Sequence, residues 1–235
     1  MKIEVWSDYV CPFCYIGKRQ LEKAIKDSGY EGQIDVTYKS YLLDPNTPVD
    51  INESVYESLS KKYNAPIENI KTMTANVVER AKEVGLSYNF EEMKAANTVK
   101  AHRLTKWVES QNKELGAKFT EQVLQAYFIG GKAIGRDEEL LAIIDSLGLN
   151  REAAEDVLKK DTFMQDVERD IYEASQIGVR GVPFFVFNNK WGISGAQPQP
   201  LFEQTIEQAA QDAGLKKKIQ IVAEGAICKD DQCDF

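Results

Sequence analysis

The segment VWSDYVCPFCYIG, residues 5–17, is the part of this chain from which its fold and chemistry can be worked out. It joins an apolar, β-branched run to Cys11 and Cys14 at the start of a helix-like stretch. Two thiols at this spacing can close a disulfide across one helical turn, and the first lies where unpaired backbone N–H groups favour its thiolate. Because a thiolate attacks disulfides, the segment predicts thiol–disulfide exchange. Cys11 is expected to face outward as the nucleophile, and Cys14 to face inward as the resolving thiol.

Zinc binding and a structural disulfide are the alternatives that the two cysteines leave open. Zinc is usually held by four ligands, and the chain contains four cysteines and one histidine, His102. Cys228 and Cys233 lie at the far end of the chain, at an awkward spacing for a four-cysteine zinc site. A structural disulfide between Cys11 and Cys14 would close a very short loop and would stabilise the fold little. We therefore predict a redox pair and no metal site.

Composition and charge argue against several other functions. Of the 235 residues, 43% are hydrophobic, which suffices for one substantial core or for a core with an inserted subdomain. The net charge of −8 disfavours nucleic acid and anionic membranes as partners. No apolar stretch approaches the roughly 20 residues that a membrane helix needs, and the first residues do not resemble a signal peptide. These features predict a cytoplasmic protein, in a compartment that keeps most thiols reduced.

The order of the predicted elements indicates an α/β unit with a helical insertion. Alternation of apolar residues predicts strands over 2–7, 34–43, 182–187 and 190–194. Helical periodicity predicts helices that begin at Pro12, Asn52 and Pro66, and further ones over 91–111, 118–129, 137–147, 151–160, 163–177 and 200–213. A helical block inside an α/β unit is best explained as an insertion, with the strands of both chain halves in one sheet.

The chain resembles thioredoxin-fold proteins of the DsbA family in three features. These are the Cys11-Pro12-Phe13-Cys14 sequence after a strand, the segment GVRGVPFF at 178–185, which is similar to the family's cis-proline loop, and the helical insertion. Segments 8–12, 97–104 and 193–197 are similar to the FrnE-like branch of the family. The resemblance implies an α/β thioredoxin fold with a large inserted all-helical subdomain. Its parts would be a thioredoxin-like domain of residues 1–43 and 179–222, a helical subdomain of residues 44–178 and a tail of residues 223–235.

The resemblance also implies roles for residues around the cysteines. Pro183 would be cis and lie beside the Cys11–Cys14 pair, with Val182 presenting its backbone groups to a thiol substrate. From the sequence alone, an ordinary proline at the start of a strand is the favoured interpretation. Phe13 is a candidate for an apolar surface that contacts the substrate.

Four polar residues are further candidates for the site. Arg180 and Lys18 could add positive potential that favours the Cys11 thiolate, although such residues are more often exposed surface charges. By resemblance, Asn97 and His102 would line a groove between the insertion and the thioredoxin-like domain. A lone histidine in a helix is usually structural, so we assign His102 no role as a ligand.

Cys228 and Cys233 lie in a polar tail that ends two residues later. Some FrnE-like proteins carry an extra cysteine pair near the C-terminus, which this tail resembles. The pair could therefore be a second redox site that exchanges electrons with Cys11 and Cys14. The alternative is an adventitious pair without function.

Together these features predict a dithiol–disulfide oxidoreductase or isomerase that acts on disulfide- or thiol-bearing proteins or on small thiols. No dissociable cofactor is expected, and glutathione is a candidate reductant. The alternative is a kappa-type glutathione-dependent transferase or a 2-hydroxychromene-2-carboxylate-type isomerase. Those proteins carry serine at the position of Cys11, so the two cysteines here favour dithiol chemistry. A zinc-binding or interaction module is a third class. The Pro-Phe dipeptide between the cysteines contains no histidine, which argues against the strong oxidising power of periplasmic DsbA.

Overall fold

The computed structural model describes residues 1–49, 51–217, 228–229 and 232–233. Its strands are β1 (Lys2–Ser7), β2 (Asp35–Ser40), β3 (Phe184–Phe187), β4 (Trp191–Ser194), β5 (Cys228–Lys229) and β6 (Gln232–Cys233). Its helices are α1 (Pro12–Ser28), α2 (Val55–Tyr63), α3 (Ile67–Glu83), α4 (Val99–Gln111), α5 (Lys113–Phe128), α6 (Asp137–Ser146), α7 (Arg151–Lys159), α8 (Met164–Gln176) and α9 (Gln199–Asp212).

Strand β1 lies inside a four-stranded sheet of order β2–β1–β3–β4. It pairs in parallel with β2, to which α1 connects it, and antiparallel with β3, which forms a hairpin with β4. Three residues, Asn188 to Lys190, connect β3 to β4. The Lys190 N–H donates to the Phe187 carbonyl oxygen at 3.0 Å, and the φ angles of Asn188 and Asn189, 49° and 54°, are the left-handed values of a type I′ turn. Strands from both ends of the chain thus share one sheet, in the β-α-β and β-β-α arrangement of the predicted thioredoxin fold.

The two faces of the sheet bury different elements because successive side chains of a strand point to opposite sides. On one face α1 and α9 pack over Phe185, whose ring meets that of Phe202 edge-on with the centroids 4.9 Å apart. On the other face Trp6 packs against Ala174 of α8. The Nε1 of Trp6 donates a hydrogen bond to the Asp170 carbonyl oxygen at 2.8 Å. Trp6 is therefore a core residue.

The insertion has its own core, and this core extends to the first turns of α1. Tyr15 and Ile16 of α1 are buried with the apolar side chains of α4 to α7. Tyr88, from the segment that follows α3, stacks on Phe128 of α5 with ring centroids 4.6 Å apart. The insertion therefore packs directly against the end of α1 that carries the two cysteines.

The main error of the sequence prediction concerns the helix expected over 91–111. Residues 84–98 are not helical, and α4 begins at Val99. The Met93 carbonyl oxygen accepts the Val55 N–H, and the Ala95 N–H donates to the Glu53 carbonyl oxygen. This segment therefore pairs with the chain at the start of α2 instead of forming a helix. Thr98 is the N-cap of α4 and makes no side-chain cap hydrogen bond. The Asn97 side chain accepts from the Val99 N–H at 3.0 Å, which forms an Asx turn just before the helix.

Three other boundaries also differ. Strand β2 ends at Ser40, short of the predicted residue 43. Helix α2 is capped by Ser54 and not by Asn52, because Ser54 and Glu57 form a reciprocal capping box. Helix α5 begins at Lys113 instead of 118, where the side chain of Asn112 accepts two backbone N–H groups. The division into domains at residues 44, 179 and 223 stays a prediction, and most of the tail lies outside the described residues.

Candidate functional site

Cys11 and Cys14 lie at the N-terminus of α1, as predicted, and both are free thiols. Cys11 is the N-cap residue, with extended backbone angles of −88° and 111°, and Pro12 is the first residue of the helix. Proline suits this position because its φ is already helical and its missing N–H would have no partner there. The Cys11 N–H donates to the Asp8 carbonyl oxygen at 3.1 Å, and the Cys14 N–H donates to the Cys11 carbonyl oxygen at 3.0 Å.

The expectation that Cys11 faces solvent is wrong. Its exposed fraction is 4%, close to the 3% of Cys14. Two parts of the chain cover it: the cis-proline segment of the sheet domain and the helices of the insertion. The thiol of Cys11 donates to the carbonyl oxygen of Val182 with an Sγ–O distance of 3.4 Å. A substrate must therefore reach Cys11 through a cleft.

The Val182–Pro183 peptide bond is cis, which confirms that prediction. The segment lies against α1, where Gly17 makes the close approach possible. A Cβ atom at Gly17 would lie 2.9 Å from the Phe185 ring and 3.2 Å from the Pro183 ring. The signal in the sequence is a glycine within a helix, six residues after Cys11, which by itself does not indicate what packs against it.

The surroundings of the Cys14 thiol favour its neutral form. Burial raises the pKa of Cys14 well above its ordinary value, and the neighbouring Cys11 thiol raises it further. The side chain of Ser7 and the backbone of Asp8 act in the opposite direction, without overcoming burial. Cys14 is thus held as a neutral thiol, as suits a residue that reacts second.

Asp8 is a buried carboxylate beside the pair that the sequence analysis did not single out. It is 1% exposed, and its Oδ2 accepts the Leu43 N–H at 2.8 Å. His102 lies against it, with Nε2 3.3 Å from Asp8 Oδ1, and is itself buried. Asn97 donates to the Thr47 carbonyl oxygen at 2.7 Å and so ties down the chain after β2. Neither residue lines the cleft at Cys11. His102 does line a small cavity between strands β1 and β2 and helices α4 and α5 of the insertion, whereas Asn97 does not.

The two predicted cations lie in different environments. Lys18 is 6% exposed and forms ion pairs with Glu22 and with Glu121, the latter at 2.5 Å. Its charge is balanced, so it does not supply free positive potential to Cys11. Arg180 is exposed, two residues before Val182.

A cleft of about 530 Å³ opens beside Cys11, and we call it the Cys11 cleft. It is mainly apolar and is lined by Val10, Cys11, Pro12, Phe13, Leu43, Val55, Leu59, Tyr63, Ile70, Met73, Thr74, Asn76, Val77, Arg80, Phe90, Met93, Tyr127 and Phe128. Of the predicted contact residues, Phe13 lies in it. Most of the wall comes from α2, α3 and the segment after α3, which the sequence analysis did not connect with Cys11.

Two insertion residues contact the segment 10–14, which carries the two cysteines and which we call the cysteine loop. The hydroxyl of Tyr88 donates to the carbonyl oxygen of Pro12 at 2.7 Å. The guanidinium of Arg80 lies 5.0 Å from the ring centroid of Phe13 and donates to the Ala196 carbonyl oxygen at 3.0 Å. Both contacts hold the loop between the cysteines in place from the side of the insertion.

Within the described residues, no group of three or more His, Cys, Asp or Glu side chains is arranged to hold a metal ion. The backbones of Cys228 and Cys233 face each other across the β5–β6 pair, but their side chains lie outside the described residues. The predicted second redox pair is therefore untested. In the same part of the chain, no helix is long and apolar enough to cross a membrane.

Comparisons with known proteins agree with this geometry. A family model described as DSBA-like thioredoxin domain matches residues 2–207. YwbO of Bacillus subtilis is 27% identical over 207 residues, which cover 87% of this chain and 94% of YwbO. The structure of a probable DsbA oxidoreductase from Streptomyces coelicolor is 29% identical, with a TM-score of 0.85, and the match covers 100% of this chain and 99% of that one. A 2-hydroxychromene-2-carboxylate isomerase structure is 19% identical, with a TM-score of 0.67 over 92% of this chain and 100% of its own, a likeness of fold alone.

Proposed function

Because the chain belongs to the DSBA-like thioredoxin domain family and is a thiol–disulfide oxidoreductase, we propose that it exchanges electrons with its substrates through Cys11 and Cys14. The observation that carries the proposal is the position of the Cys11 Sγ, at the N-terminus of α1 and 3.4 Å from the Val182 carbonyl oxygen. The N–H groups at a helix N-terminus favour the thiolate that attacks a disulfide. Proteins of this family use redox-active cysteines and need no cofactor.

In the reductive direction, the Cys11 thiolate attacks one sulfur of a substrate disulfide. A mixed disulfide forms, and the other substrate sulfur leaves as a thiolate that takes up a proton. Cys14 then loses its proton and attacks the Cys11 sulfur, which releases the second substrate thiol. The pair ends as a disulfide, and its two electrons have reduced the substrate to two thiols. An external thiol restores the reduced pair, and glutathione is a candidate for this step.

The cis-proline segment would hold the substrate during the exchange. When a substrate sulfur approaches Cys11, the Val182 carbonyl oxygen that now accepts from the Cys11 thiol becomes free. It can then accept an N–H from any substrate that carries one near its sulfur. Pro183 keeps this carbonyl turned toward Cys11, and Phe13 contacts the substrate from the cleft. Arg180, exposed on the same segment, would act on the charge of a partner at the rim.

Several finer assignments remain proposals. The fold and the two cysteines are compatible with membership of the FrnE-like branch and with a cytoplasmic location, where a reduced thiol pool would drive the reductive direction. Partners would be proteins or small molecules that carry thiols or disulfides. A second redox pair at Cys228 and Cys233 would pass electrons to or from Cys11 and Cys14.

Turnover of insulin disulfides with dithiothreitol tests the proposal. Cys11→Ser should reduce turnover to the background rate, a loss on the order of a thousandfold or more, since the nucleophile is removed. The double variant Cys228→Ser/Cys233→Ser is the control. Like Cys11→Ser, it removes one cysteine pair, but it should keep turnover because Cys11 and Cys14 remain. Full activity of Cys11→Ser would overturn the assignment. Glutathione conjugation by the same preparations would instead support the kappa-type alternative.

A further inference from the structure

We propose that the Cys11 cleft binds the organic part of a small disulfide substrate, an apolar aliphatic or aromatic group that carries one carboxylate. This inference rests on the proposed function, since it names the substrate class of the same site. Such a group should bind in the cleft more tightly than two other candidate occupants, glutathione and an extended peptide. The composition of the cleft walls, the volume of the cleft and the charge of its lining residues favour such a ligand.

The walls near Cys11 are apolar on both sides. Val10 and Phe13 come from the cysteine loop, and Ile70, Met73 and Val77 come from one side of α3. Met73 is 51% exposed although it lines the cleft. An apolar group in the cleft would remove this surface from water, and each methylene that it buries should strengthen binding about fourfold. The flexible thioether of Met73 can adapt to ligands of different shape.

The volume and position of the cleft suit a small molecule. Its volume of about 530 Å³ lies within the range of small-molecule sites, roughly 300–1,000 Å³. Cys11 forms part of its wall and is buried, so a substrate sulfur must enter the cleft to reach it. A disulfide held rigidly on the surface of a folded protein does not fit such an approach.

The charge of the residues that line the cleft indicates which charged group the ligand carries. Arg80 is the one charged residue among the described residues that line the cleft. Its side chain is exposed, and the partner of its guanidinium is the Ala196 carbonyl oxygen rather than a carboxylate. A single carboxylate would complement it. Glutathione carries two carboxylates and one ammonium group, and among the described residues that line the cleft Arg80 can pair with only one of the three.

A peptide is disfavoured because the cleft offers few hydrogen-bond partners. Its uncharged polar lining residues other than tyrosine are Thr74 and Asn76, and the hydroxyl of Thr74 already donates to the Ile70 carbonyl oxygen at 3.0 Å. Each residue of an extended peptide brings one N–H and one C=O that would be buried without a partner. The carbon chain of a small thiol brings none.

Single-turnover oxidation of the reduced full chain tests the proposal. The probes are the symmetrical disulfides of 3-mercaptopropanoic and 6-mercaptohexanoic acid, glutathione disulfide, and the disulfide of an apolar pentapeptide. The six-carbon acid has three more methylenes than the three-carbon acid, so it should react about 60-fold faster if one arm is buried, which is the fourfold factor applied three times. Glutathione disulfide and the peptide disulfide should react more slowly than the six-carbon disulfide.

Two variants of α3 make the test specific. Met73→Glu places a carboxylate in the cleft and should abolish the dependence of the rate on chain length. Thr72→Glu makes the same charge change at an exposed neighbour that does not line the cleft, and should keep that dependence. Arg80→Gln should remove the preference for the acid over the disulfide of 6-mercaptohexanol. Equal rates for the two acids, or a chain-length effect that survives Met73→Glu, would overturn the proposal.

A binding measurement separates this inference from the redox chemistry. The thioether 6,6′-thiodihexanoic acid cannot exchange sulfur, and calorimetry should show that it binds wild type and Thr72→Glu but not Met73→Glu. Such binding, together with no oxidation by any disulfide, would refute the proposed function and leave the cleft assignment standing. Normal exchange without binding of the thioether, or faster reaction of the peptide disulfide, would refute the cleft assignment alone.

Discussion

The two walls that enclose Cys11 are built in different ways. On the sheet side, the contact is a backbone carbonyl of Val182, 3.4 Å from Sγ and held by a cis-proline segment that packs on Gly17. On the insertion side, the wall consists of side chains such as Met73 and Val77 on α3. Backbone geometry survives most changes of sequence, whereas a side-chain wall changes with each substitution. The sheet side is therefore suited to the chemistry shared by a family, and the insertion side to the choice of substrate.

The reduction potential tests whether either wall stabilises the Cys11 thiolate strongly. Lys18 is neutralised by Glu22 and Glu121, and the Pro-Phe dipeptide offers no histidine. We expect a potential of about −200 mV or lower, against about −120 mV for DsbA. The difference of about 80 mV corresponds to about 3.7 kcal/mol for two electrons. Equilibration of the pair with glutathione buffers measures it, and a value near −120 mV would contradict the account.

The sheet side could be predicted from the sequence because its signals are local. Two cysteines with Pro12 between them mark a helix start, and the resemblance around Val182 and Pro183 indicated the cis bond. The insertion side could not be predicted in this way. Met73 and Arg80 lie more than sixty residues from Cys11, on an amphipathic helix whose apolar positions resemble those of any helix that faces a core. Only the packing of α3 and the non-helical segment after it brings them to Cys11.

Packing also explains the two site predictions that were wrong. The outward orientation of Cys11 follows for an isolated helix N-terminus, but here the insertion covers that end. The sequence predicts Lys18 as an exposed surface charge. In the structure it is buried between α1 and α5, where Glu121 of α5 pairs with it. Both outcomes depend on residues more than sixty positions away, beyond the reach of local patterns.

Gly17→Val tests the fit between α1 and the sheet wall. A Cβ there would already lie 2.9 Å from the Phe185 ring, so we expect overpacking to lower the free energy of unfolding by about 2–3 kcal/mol. The displaced Val182 should also slow the oxidation of Cys11. Urea denaturation and single-turnover kinetics measure the two effects. Lys23→Val, at an exposed position of α1, is the control for the helix propensity of valine, and an equal effect of both variants would refute the tight fit.

The burial of Cys14 predicts a stability that depends on pH. Its pKa is raised in the folded protein, so above about pH 8.5 the unfolded chain loses this proton while the folded protein keeps it. The free energy of unfolding should therefore fall as pH rises, by about 1.6 kcal/mol between pH 8.5 and 10.0. The reduced Cys14→Ala protein should lack this part of the decline. If the free energy of unfolding of the two proteins fell equally with pH over this range, Cys14 would not be buried as described.

The smallest effect expected is that of Tyr88→Phe on the insertion side. The variant removes the hydroxyl that donates to the Pro12 carbonyl oxygen at 2.7 Å but keeps the ring stacked on Phe128. The free energy of unfolding should fall by about 1 kcal/mol. Tyr30→Phe, whose hydroxyl makes a longer contact of 3.3 Å with Glu207, should cost less. Equal losses would show that the insertion does not hold the cysteine loop through this bond.

The central claim is that the Sγ of Cys11, enclosed by the sheet side and the insertion side, attacks the substrate. Cys14→Ser removes the resolving thiol and leaves the other three cysteines in place. After incubation with the disulfide of 6-mercaptohexanoic acid, non-reducing peptide mass spectrometry identifies the cysteine that carries the substrate. The account predicts one adduct, on Cys11, that forms faster than any other. An adduct that forms first on Cys228 or Cys233, or a Cys11 that stays unmodified, would contradict it.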